Sequence, residues 1–534
     1  MPLMNADIIR RQWDVIVIGA GIGGGSMGRR LAERGLSVLF VEKGPFGHDT
    51  EEQYLSTTLE DPFARKIRGF WPKRVAATID GREMSFFGAI GAGVGGTSSF
   101  YAATLERPER HDIDELEDRP HPTGGWPVSY DAYRPYYGLA EQMFEVCGEA
   151  DPLSEEPDPG LRSPPPLAAD DRDMTESFRR KGLNPYYVHM GVRFVPGCQL
   201  CFGHKCPRRC KLDGRTAGVE PAVRTGQAFV LDNCDVQAIR GTRDRVSHIE
   251  VIRHGERATL KARTYVLAGG GLGSPRLLLA SKSPEWPNGF GNSNDLVGRN
   301  LMFHLTEMLA IWPASGSRSS GPSKALALRD FYFRNGMRFG ALQAIGVDAS
   351  YGMIVHYLNG LYDRSIFRRI RAGRELTRIP AFIAARMFGN AKIFAGIIED
   401  LPYSENRMLL DPEDPERLRF HYSFAPELHH RRRQYRRIVK KALSGHRTAF
   451  LNMQPDLNLA HSCGTLRFGN DPATSVLDAN CRVHGVRNLY VTDSSFMPTS
   501  TGINPSLTIA ANAIRVADHI VALHKQRAPE LIDG

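Results

Sequence analysis

The chain has 534 residues, of which 42% are hydrophobic, and its formal net charge is +9. This length suits roughly two to four domains around a large buried core. The modest, dispersed positive charge excludes a typical nucleic-acid-binding protein, although it favours an acidic protein partner or an anionic membrane face. Eight cysteines are too few for a secreted disulfide scaffold of this size.

A dinucleotide-binding βαβ unit is predicted near the N-terminus. In a glycine loop of the GxGxxG type, the first glycine permits the tight turn, the second lets the backbone approach a pyrophosphate, and the third lets the helix pack against the strand. An acid after the second strand accepts hydrogen bonds from ribose hydroxyls, which favours an adenosine without a 2′-phosphate. These elements follow one another in the required order: a strand at 15–18, the loop glycines Gly19, Gly21 and Gly24, a helix at 26–34, a strand at 37–41 and Glu42.

Later segments alternate between irregular and regular patterns. Residues 45–82 are predicted to be loop with short helices, and 87–101 form a second glycine-rich stretch whose apolar flanks argue against a linker. An amphipathic helix is predicted up to residue 144, after the Trp126 motif, and a β-meander over 227–251. Residues 265–279 again read as strand, glycine turn and helix, a unit that could return the chain to the nucleotide sheet.

Four cysteines lie within 13 residues, at Cys198, Cys201, Cys206 and Cys210. Basic residues interleave with them and would offset the charge of a thiolate cluster. The spacing permits a tetrahedral zinc site, without matching a zinc ribbon, and it also permits an iron-sulfur cluster. Reduced thiols or a disulfide in a loop remain a third interpretation.

The chain resembles the glucose-methanol-choline (GMC) flavin oxidoreductases over residues 13–520. The motifs that carry the resemblance are the N-terminal unit, GVGGTS at 93, WPVSYD at 126, VLAGGGLGSPRLLL at 266, LVGRNLMFH at 296, EDLPYSENR at 399 and the long block from His461. The resemblance implies an α/β fold, α+β overall, in which a Rossmann-type FAD-binding domain is interleaved with an antiparallel-sheet substrate domain. The FAD-binding domain would comprise 1–110, 190–300 and 460–534, and the substrate domain 111–189 and 301–459, with 197–211 as a cysteine-rich loop.

The resemblance also implies roles for individual residues. His461 corresponds to the family's catalytic base and Asn504 to its partner, while His304 and His484 are expected to be structural. FAD is expected to be held noncovalently because the second glycine loop lacks a histidine, and Tyr101 stands where many members have asparagine. The residues expected to bind FAD are Gly19, Gly21, Gly24, Glu42, Gly93, Gly95, Gly96, Thr97, Ser98, Val236, Asp493, Asn504, Pro505 and Ser506.

Such an enzyme would oxidise an alcohol, here expected to be a sugar or glycoside hydroxyl. The cysteines at 201, 206 and 210 resemble the triplet that holds a three-iron cluster in bacterial FAD-dependent hexose dehydrogenases, whereas Cys198 has no counterpart there. A cluster would pass electrons to a cytochrome or quinone, with a possible small subunit. Without it, an oxygen-using oxidase of a sterol, aminoglycoside or simple alcohol is the alternative. A non-redox lyase on the same fold is a further one.

Two further features bear on location. Residues 366–388 alternate arginines with apolar residues at helical spacing, which indicates either a basic surface helix broken at Pro380 or a docking face for an acidic partner or an anionic membrane. No apolar run reaches the ~18 residues of a membrane span, and no signal-peptide apolar region precedes the first strand. A cytoplasmic location is therefore expected. The pair Arg10 and Arg11 invites a twin-arginine interpretation, but the first strand follows it where a cleavable segment would be needed. A periplasmic or membrane-peripheral location would therefore require export with a partner subunit.

Overall fold

The computed structural model describes residues 6–47, 61–156, 160–198, 203, 205–313, 323–348, 354–355, 358–359, 362, 370–389 and 391–527. The described strands form five sheets. The helices with described bounds are α1 (Ala6–Arg10), α2 (Ile22–Glu33), α3 (Pro62–Arg68), α4 (Tyr130–Met143), α5 (Ala169–Arg180), α6 (Glu220–Arg224), α7 (Gly270–Ala280), α8 (Arg371–Leu376), α9 (Arg378–Phe388), α10 (Pro426–Ala442) and α11 (Ser506–Arg527).

A parallel sheet forms the half that contains the predicted βαβ unit, with strand order β20-β10-β1-β2-β6. Its strands are mostly buried apolar runs, as parallel strands covered on both faces require. The predicted βαβ unit is confirmed, and its helix begins four residues earlier than expected because the later loop glycines already belong to it. The strands are β1 (Trp13–Ile18), β2 (Val38–Val41), β6 (Ala228–Leu231), β10 (Ala262–Leu267) and β20 (Leu489–Val491).

The predicted return of the chain to this sheet is also confirmed. Strand β10 pairs in parallel with β1, and helix α7 follows it. Helix α11 packs against α2 and α4. It is long and apolar enough to span a membrane, but 72% of its apolar stretch is buried inside the protein, so it is a core helix.

An antiparallel sheet of six strands forms the second half, in the order β19-β11-β16-β15-β12-β5. Helix α10 packs on it through Leu428, Tyr435 and Val439, which share one apolar core with strand residues such as Phe394. The predicted combination of a Rossmann-type half and an antiparallel-sheet half is therefore confirmed. The strands are β5 (Tyr186–Tyr187), β11 (Leu305–Ile311), β12 (Leu326–Leu328), β15 (Leu342–Asp348), β16 (Lys392–Ile398) and β19 (Thr448–Phe450).

Three smaller sheets complete the described fold. A four-stranded sheet has the order β17-β18-β3-β4, a three-stranded sheet the order β7-β8-β9, and a hairpin joins β13 to β14. Their strands are β3 (Val75–Ile79), β4 (Arg82–Phe86), β7 (Cys234–Gly241), β8 (Val246–Arg253), β9 (Glu256–Leu260), β13 (Phe333–Arg334), β14 (Met337–Arg338), β17 (Arg407–Leu410) and β18 (Leu418–Tyr422).

Three local predictions differ from the structure. The hairpin β3–β4 begins where loop was expected, because β3 gains a distant partner, β18, that local periodicity does not reveal. In the predicted meander, β6 instead joins the parallel sheet beside β2. Helix α4, expected in the substrate domain, packs with α11 beside the parallel sheet, where the Tyr133 hydroxyl donates to Asn512. The domain boundaries otherwise stay a prediction.

Candidate active site

One cavity of about 450 Å³ runs between the parallel sheet and the six-stranded sheet. The end that is lined by backbone of the first glycine loop and by Glu42 is called the nucleotide end, and the end that is lined by His461 and Asn504 is called the substrate end, after their predicted roles. Of the predicted cofactor-binding residues, those that line it are Gly19, Gly21, Glu42, Gly96, Thr97, Ser98, Val236, Asp493, Asn504, Pro505 and Ser506. The structure therefore brings most of the predicted site together around one space.

The two glycine loops pack against each other at the nucleotide end. A Cβ on Gly96 would lie 2.9 Å from the Cα of Gly21, and Gly96 has a positive φ of 55°. A Cβ on Gly24 would lie 2.0 Å from the carbonyl oxygen of Gly19, so this glycine serves helix packing and does not line the cavity. Gly93 and Gly95 also lie outside the lining, where they shape the second loop.

Glu42 is buried at the end of β2. Its carboxylate accepts hydrogen bonds from the backbone N–H groups of Ala20, at 2.8 Å, and Gly44, at 3.3 Å. Burial raises the pKa of this carboxyl, and these backbone donors act in the opposite direction. The carboxylate thus fixes the turn of the first glycine loop in addition to lining the cavity.

Asp493 closes the cavity where α7 begins. Its carboxylate accepts from the backbone N–H of Gly270 at 3.0 Å, from the Ser274 hydroxyl, and from the backbone N–H of Ser495. Burial raises its pKa. Because these donors come from two separate chain segments, Asp493 joins the C-terminal block to the strand-turn-helix unit at 262–280.

Tyr101 follows the second glycine loop and lines the same cavity. Its hydroxyl donates to the carbonyl oxygen of Leu212. Burial raises the pKa of this phenol well above its ordinary value, so it stays protonated. The tyrosine that departs from the family pattern therefore anchors the cavity wall to the segment after the cysteines.

His461 faces the cavity and contacts a second histidine, His304. The two Nδ1 atoms are 2.7 Å apart, and Nε2 of His304 lies 2.9 Å from the carbonyl oxygen of Thr501 and 3.1 Å from that of Ser500. Carbonyl oxygens only accept, so Nε2 of His304 carries a proton. Burial lowers the pKa of His304, which keeps its ring neutral and leaves Nδ1 as an acceptor.

The tautomer of His461 follows from that of His304. Its Nδ1 must donate to Nδ1 of His304, so its Nε2 holds the lone pair. The pKa of His461 lies well below its ordinary value because of burial, then of His304 and Lys324. The imidazole is therefore neutral and able to accept a proton. The sequence interpretation of His304 as merely structural missed this contact.

Two further residues were not predicted for the site. The Gln343 side chain donates to Oδ1 of Asn504 at 2.9 Å. Lys324 is buried, and its ammonium group donates to the carbonyl oxygen of Ala102 at 2.6 Å and to the Thr104 hydroxyl. Burial lowers the pKa of Lys324 to about 7. Both side chains line the cavity; Gln343 lies on β15 and Lys324 just before β12, in segments that carry no motif.

The cysteine segment is only partly described, since Cys201 lies outside the described residues. The backbone N–H of Cys210 donates to the sulfur of Cys206 at 3.2 Å. Burial and the neighbouring Cys206 raise the pKa of Cys210 to about 11. Within the described ranges, no three His, Cys, Asp or Glu side chains gather as metal ligands. The four-cysteine metal site stays a prediction.

A parallel sheet and two closely packed glycine loops indicate a dinucleotide-binding protein. The His461 imidazole on the same cavity indicates an enzyme that transfers a proton. Two family models described as GMC oxidoreductase match residues 14–306 and 400–513. The chain belongs to this family of FAD-dependent oxidoreductases, as the sequence motifs predicted. The close backbone approach of Gly21 and Gly96 and the position of Glu42 fit the pyrophosphate and ribose of FAD.

The similarity to individual relatives covers nearly the whole chain. The 6‴-hydroxyparomomycin C oxidase of Streptomyces lividus is 30% identical, over 96% of this chain and 92% of the relative. The fructose dehydrogenase large subunit of Gluconobacter japonicus is 27% identical, over 96% and 98%. The crystal structure of pyridoxine 4-oxidase from Mesorbium loti has a TM-score of 0.61 at 20% identity, covering 95% of this chain and 99% of that one. This last similarity shows the fold alone.

Proposed function

We propose that the protein oxidises a hydroxyl group of a neutral sugar or related alcohol to a carbonyl, with FAD as the oxidant. The observation that carries the proposal is the hydrogen bond between Nδ1 of His461 and Nδ1 of His304, on the same cavity as the glycine loops, which leaves Nε2 of His461 as an acceptor. FAD, when bound, supplies a hydride acceptor at its N5 atom. The relatives include an oxidase of an aminoglycoside and a fructose dehydrogenase, both of which fit oxidation of a sugar hydroxyl.

The protein residues account for the proton. As the alcohol carbon loses a hydride, the hydroxyl proton passes to Nε2 of His461 and the C–O bond becomes a carbonyl. The proton and the hydride together are the two hydrogens removed. His461 can take the proton because its Nδ1–H is held by His304, so accepting at Nε2 requires no rearrangement of the ring.

Asn504 is proposed to position the hydroxyl oxygen. Its Oδ1 accepts from Gln343, which makes Nδ2 the amide atom that can donate to a substrate oxygen. A hydroxyl placed between this donor and Nε2 of His461 would accept from the amide and donate to the imidazole. Such an arrangement contributes through orientation, since an amide does not titrate near neutral pH.

Lys324 supports a neutral substrate over a cationic one. Among the described residues, those that line the substrate end include Thr306, Met308, Lys324, Gln343 and His461, and none of these five is a carboxylate. An aminoglycoside would add ammonium groups beside Lys324, which is itself positively charged below its pKa of about 7, whereas a sugar hydroxyl can accept a hydrogen bond from Lys324. We therefore propose a polyhydroxy alcohol rather than a polyamine.

The electron acceptor is a second part of the proposal. We propose a non-oxygen acceptor. Two findings support it: the similarity to a fructose dehydrogenase, and the closeness of two of the four cysteines, since the Cys206 sulfur accepts a hydrogen bond from the backbone N–H of Cys210. An iron-sulfur cluster of the three-iron type, and a partner subunit, cytochrome or quinone, would belong to this version. Direct use of oxygen is the alternative, supported by the aminoglycoside oxidase relative. A cytoplasmic or membrane-peripheral location is compatible with the first version.

The test is anaerobic reduction of the bound flavin by a panel of neutral sugars and polyols, followed by turnover with a dye acceptor and with oxygen. We expect at least one neutral sugar to bleach the flavin and the dye to be reduced faster than oxygen. If no alcohol bleaches the flavin while the protein converts an added alcohol without redox change, the lyase alternative is correct. Iron and acid-labile sulfide in anaerobically purified protein decide the cluster, and their absence would rule it out.

A further inference from the structure

Helix α9 carries its apolar stripe on the outside of the protein. Ile379, Phe382, Ile383 and Met387 recur at helical spacing, and they are exposed by 61%, 53%, 55% and 52%. The single residue of this helix that is fully buried is Ala381. A helix of a globular protein normally turns such a stripe towards the core. Here the large apolar side chains form a contiguous surface that the described part of the chain does not cover.

The exposed apolar residues are concentrated in this part of the chain. Of the twelve large hydrophobic residues that are exposed in the described ranges, six lie between Ile370 and Met387. The others, such as Phe63 and Phe229, are dispersed over distant segments. Scattered apolar residues are normal on a protein surface, whereas a contiguous patch marks an interaction site.

Cationic side chains border this apolar stripe. Residues 370–389 contain four arginines and one acidic residue, Glu375, which pairs with Arg378 at 2.9 Å. The guanidinium of Arg386 lies 4.6 Å above the ring of Phe382, beside the stripe. Apolar side chains next to arginines are the composition of helices that lie in the plane of a membrane interface. We propose that helix α9 docks the protein on the surface of a membrane that contains anionic lipids.

The same charges disfavour a symmetric contact between two copies of the chain. A symmetric contact between two copies of the chain would bring the same surface patch of each copy together, so the arginines of one would face those of the other. Anionic headgroups at the rim of an apolar layer instead match the arginines while the acyl chains receive Ile379, Phe382 and Ile383.

The docking helix stands close to the substrate end of the cavity. The ring of Phe388, its last residue, stacks on Trp312 at 5.5 Å and 27°. Both belong to a small apolar cluster that includes Met308 and Ile345, which line the cavity. The membrane would therefore lie next to the wall of the substrate-binding half.

The test is co-sedimentation of the whole holoprotein with vesicles of phosphatidylcholine that contain about 30 mol% phosphatidylglycerol. We expect the wild-type protein to sediment with these vesicles, and the triple variant Ile379→Ser, Phe382→Ser and Ile383→Ser to partition about 100-fold less. The variant Arg378→Gln with Arg386→Gln should lose about 10-fold, and high salt should weaken the wild type similarly. Activity on the soluble dye assay should not change in any of them.

Two matched controls exclude general effects of the substitutions. Phe63→Ser removes an aromatic residue that is 66% exposed elsewhere, and Arg433→Gln with Arg437→Gln removes two charges from the exposed side of α10. Both should bind vesicles like the wild type. Equal vesicle binding by the triple variant and the wild type would overturn the proposal. So would a concentration-dependent dimer that the triple variant abolishes, because the stripe would then be an interface between copies.

Discussion

The two ends of the cavity are built by different means. The nucleotide end is built mainly from backbone, where two glycine loops approach so closely that a Cβ on Gly96 would contact Gly21, with the Glu42 carboxylate beside them. The substrate end consists of side chains, and the network around His461 draws on residues 304, 324, 343 and 504. The first end therefore depends on conformation and close approach, and the second on protonation and hydrogen-bond direction.

The largest effect is expected at the substrate end, from removal of the base. His461→Gln keeps a polar side chain of similar size but cannot accept the hydroxyl proton, so kcat should fall by roughly 10²- to 10⁴-fold. The flavin content, measured from the visible spectrum, should be unchanged. His484→Gln is the matched control, since His484 contacts Ser475 away from the cavity. Similar losses in both variants would contradict a specific role for His461.

At the nucleotide end, a substitution should instead change the affinity for FAD and leave kcat unchanged. Gly96→Ala places a Cβ 2.9 Å from Gly21 on a residue whose φ is 55°, so strain of about 1–3 kcal/mol is expected. The affinity of the apoprotein for FAD should drop about 10- to 100-fold, measured by flavin titration. Reconstituted protein should keep its kcat.

A second glycine provides the control for this variant. Gly138 lies inside helix α4, and a Cβ added to it would point into open space, with no neighbouring element of the described chain within 4 Å. Gly138→Ala should leave FAD affinity unchanged and raise the free energy of unfolding by about 0.5–1 kcal/mol. A loss of FAD in this variant too would mean that the effect at Gly96 is not local.

The two ends also differ in what the sequence could predict. The βαβ unit was predictable because strand, glycines, helix and Glu42 are neighbours in the chain. His461 and Asn504 were assigned by resemblance, and their roles remain predictions. Gln343 and Lys324 lie in segments without a motif, and only the pairing of β15 and β12 brings them to the cavity. His304 was in a motif, but its contact with His461 spans 157 residues.

The position at which a helix is interrupted shows the same limit of sequence-based prediction on a smaller scale. The basic helix was expected to break at Pro380, but α8 ends at Leu376 and α9 begins at Arg378, on either side of Thr377. The proline ring excludes the carbonyl of residue 376 from the helix, so the interruption falls ahead of the proline itself. Residues 366–369 of the predicted segment lie outside the described residues.

His304 tests whether the hydrogen-bond direction at the substrate end matters. An asparagine at this position can still offer an oxygen to Nδ1–H of His461, whereas a glutamine reaches towards the carbonyls of Ser500 and Thr501 without doing so. We expect His304→Asn to retain most activity and His304→Gln to lose about 10- to 50-fold in kcat. Equal activity in the two variants, with flavin bound in both, would mean that His304 does not orient His461.

Lys324 is expected to give the smallest effect on rate and the clearest effect on pH dependence. His461 must be neutral to act, so activity is lost as pH falls through its pKa, which Lys324 helps to lower. Lys324→Met removes that charge, so the acid limb of kcat/KM should move to higher pH. The same variant should improve kcat/KM for an amino sugar relative to the matching neutral sugar by about 3- to 10-fold, because an ammonium no longer opposes the substrate. Lys282→Met removes an exposed lysine and should change neither property. If the acid limb of Lys324→Met does not move, the lowered pKa of His461 is due to burial and His304 alone. The proposed preference for a neutral substrate would then lose its electrostatic basis.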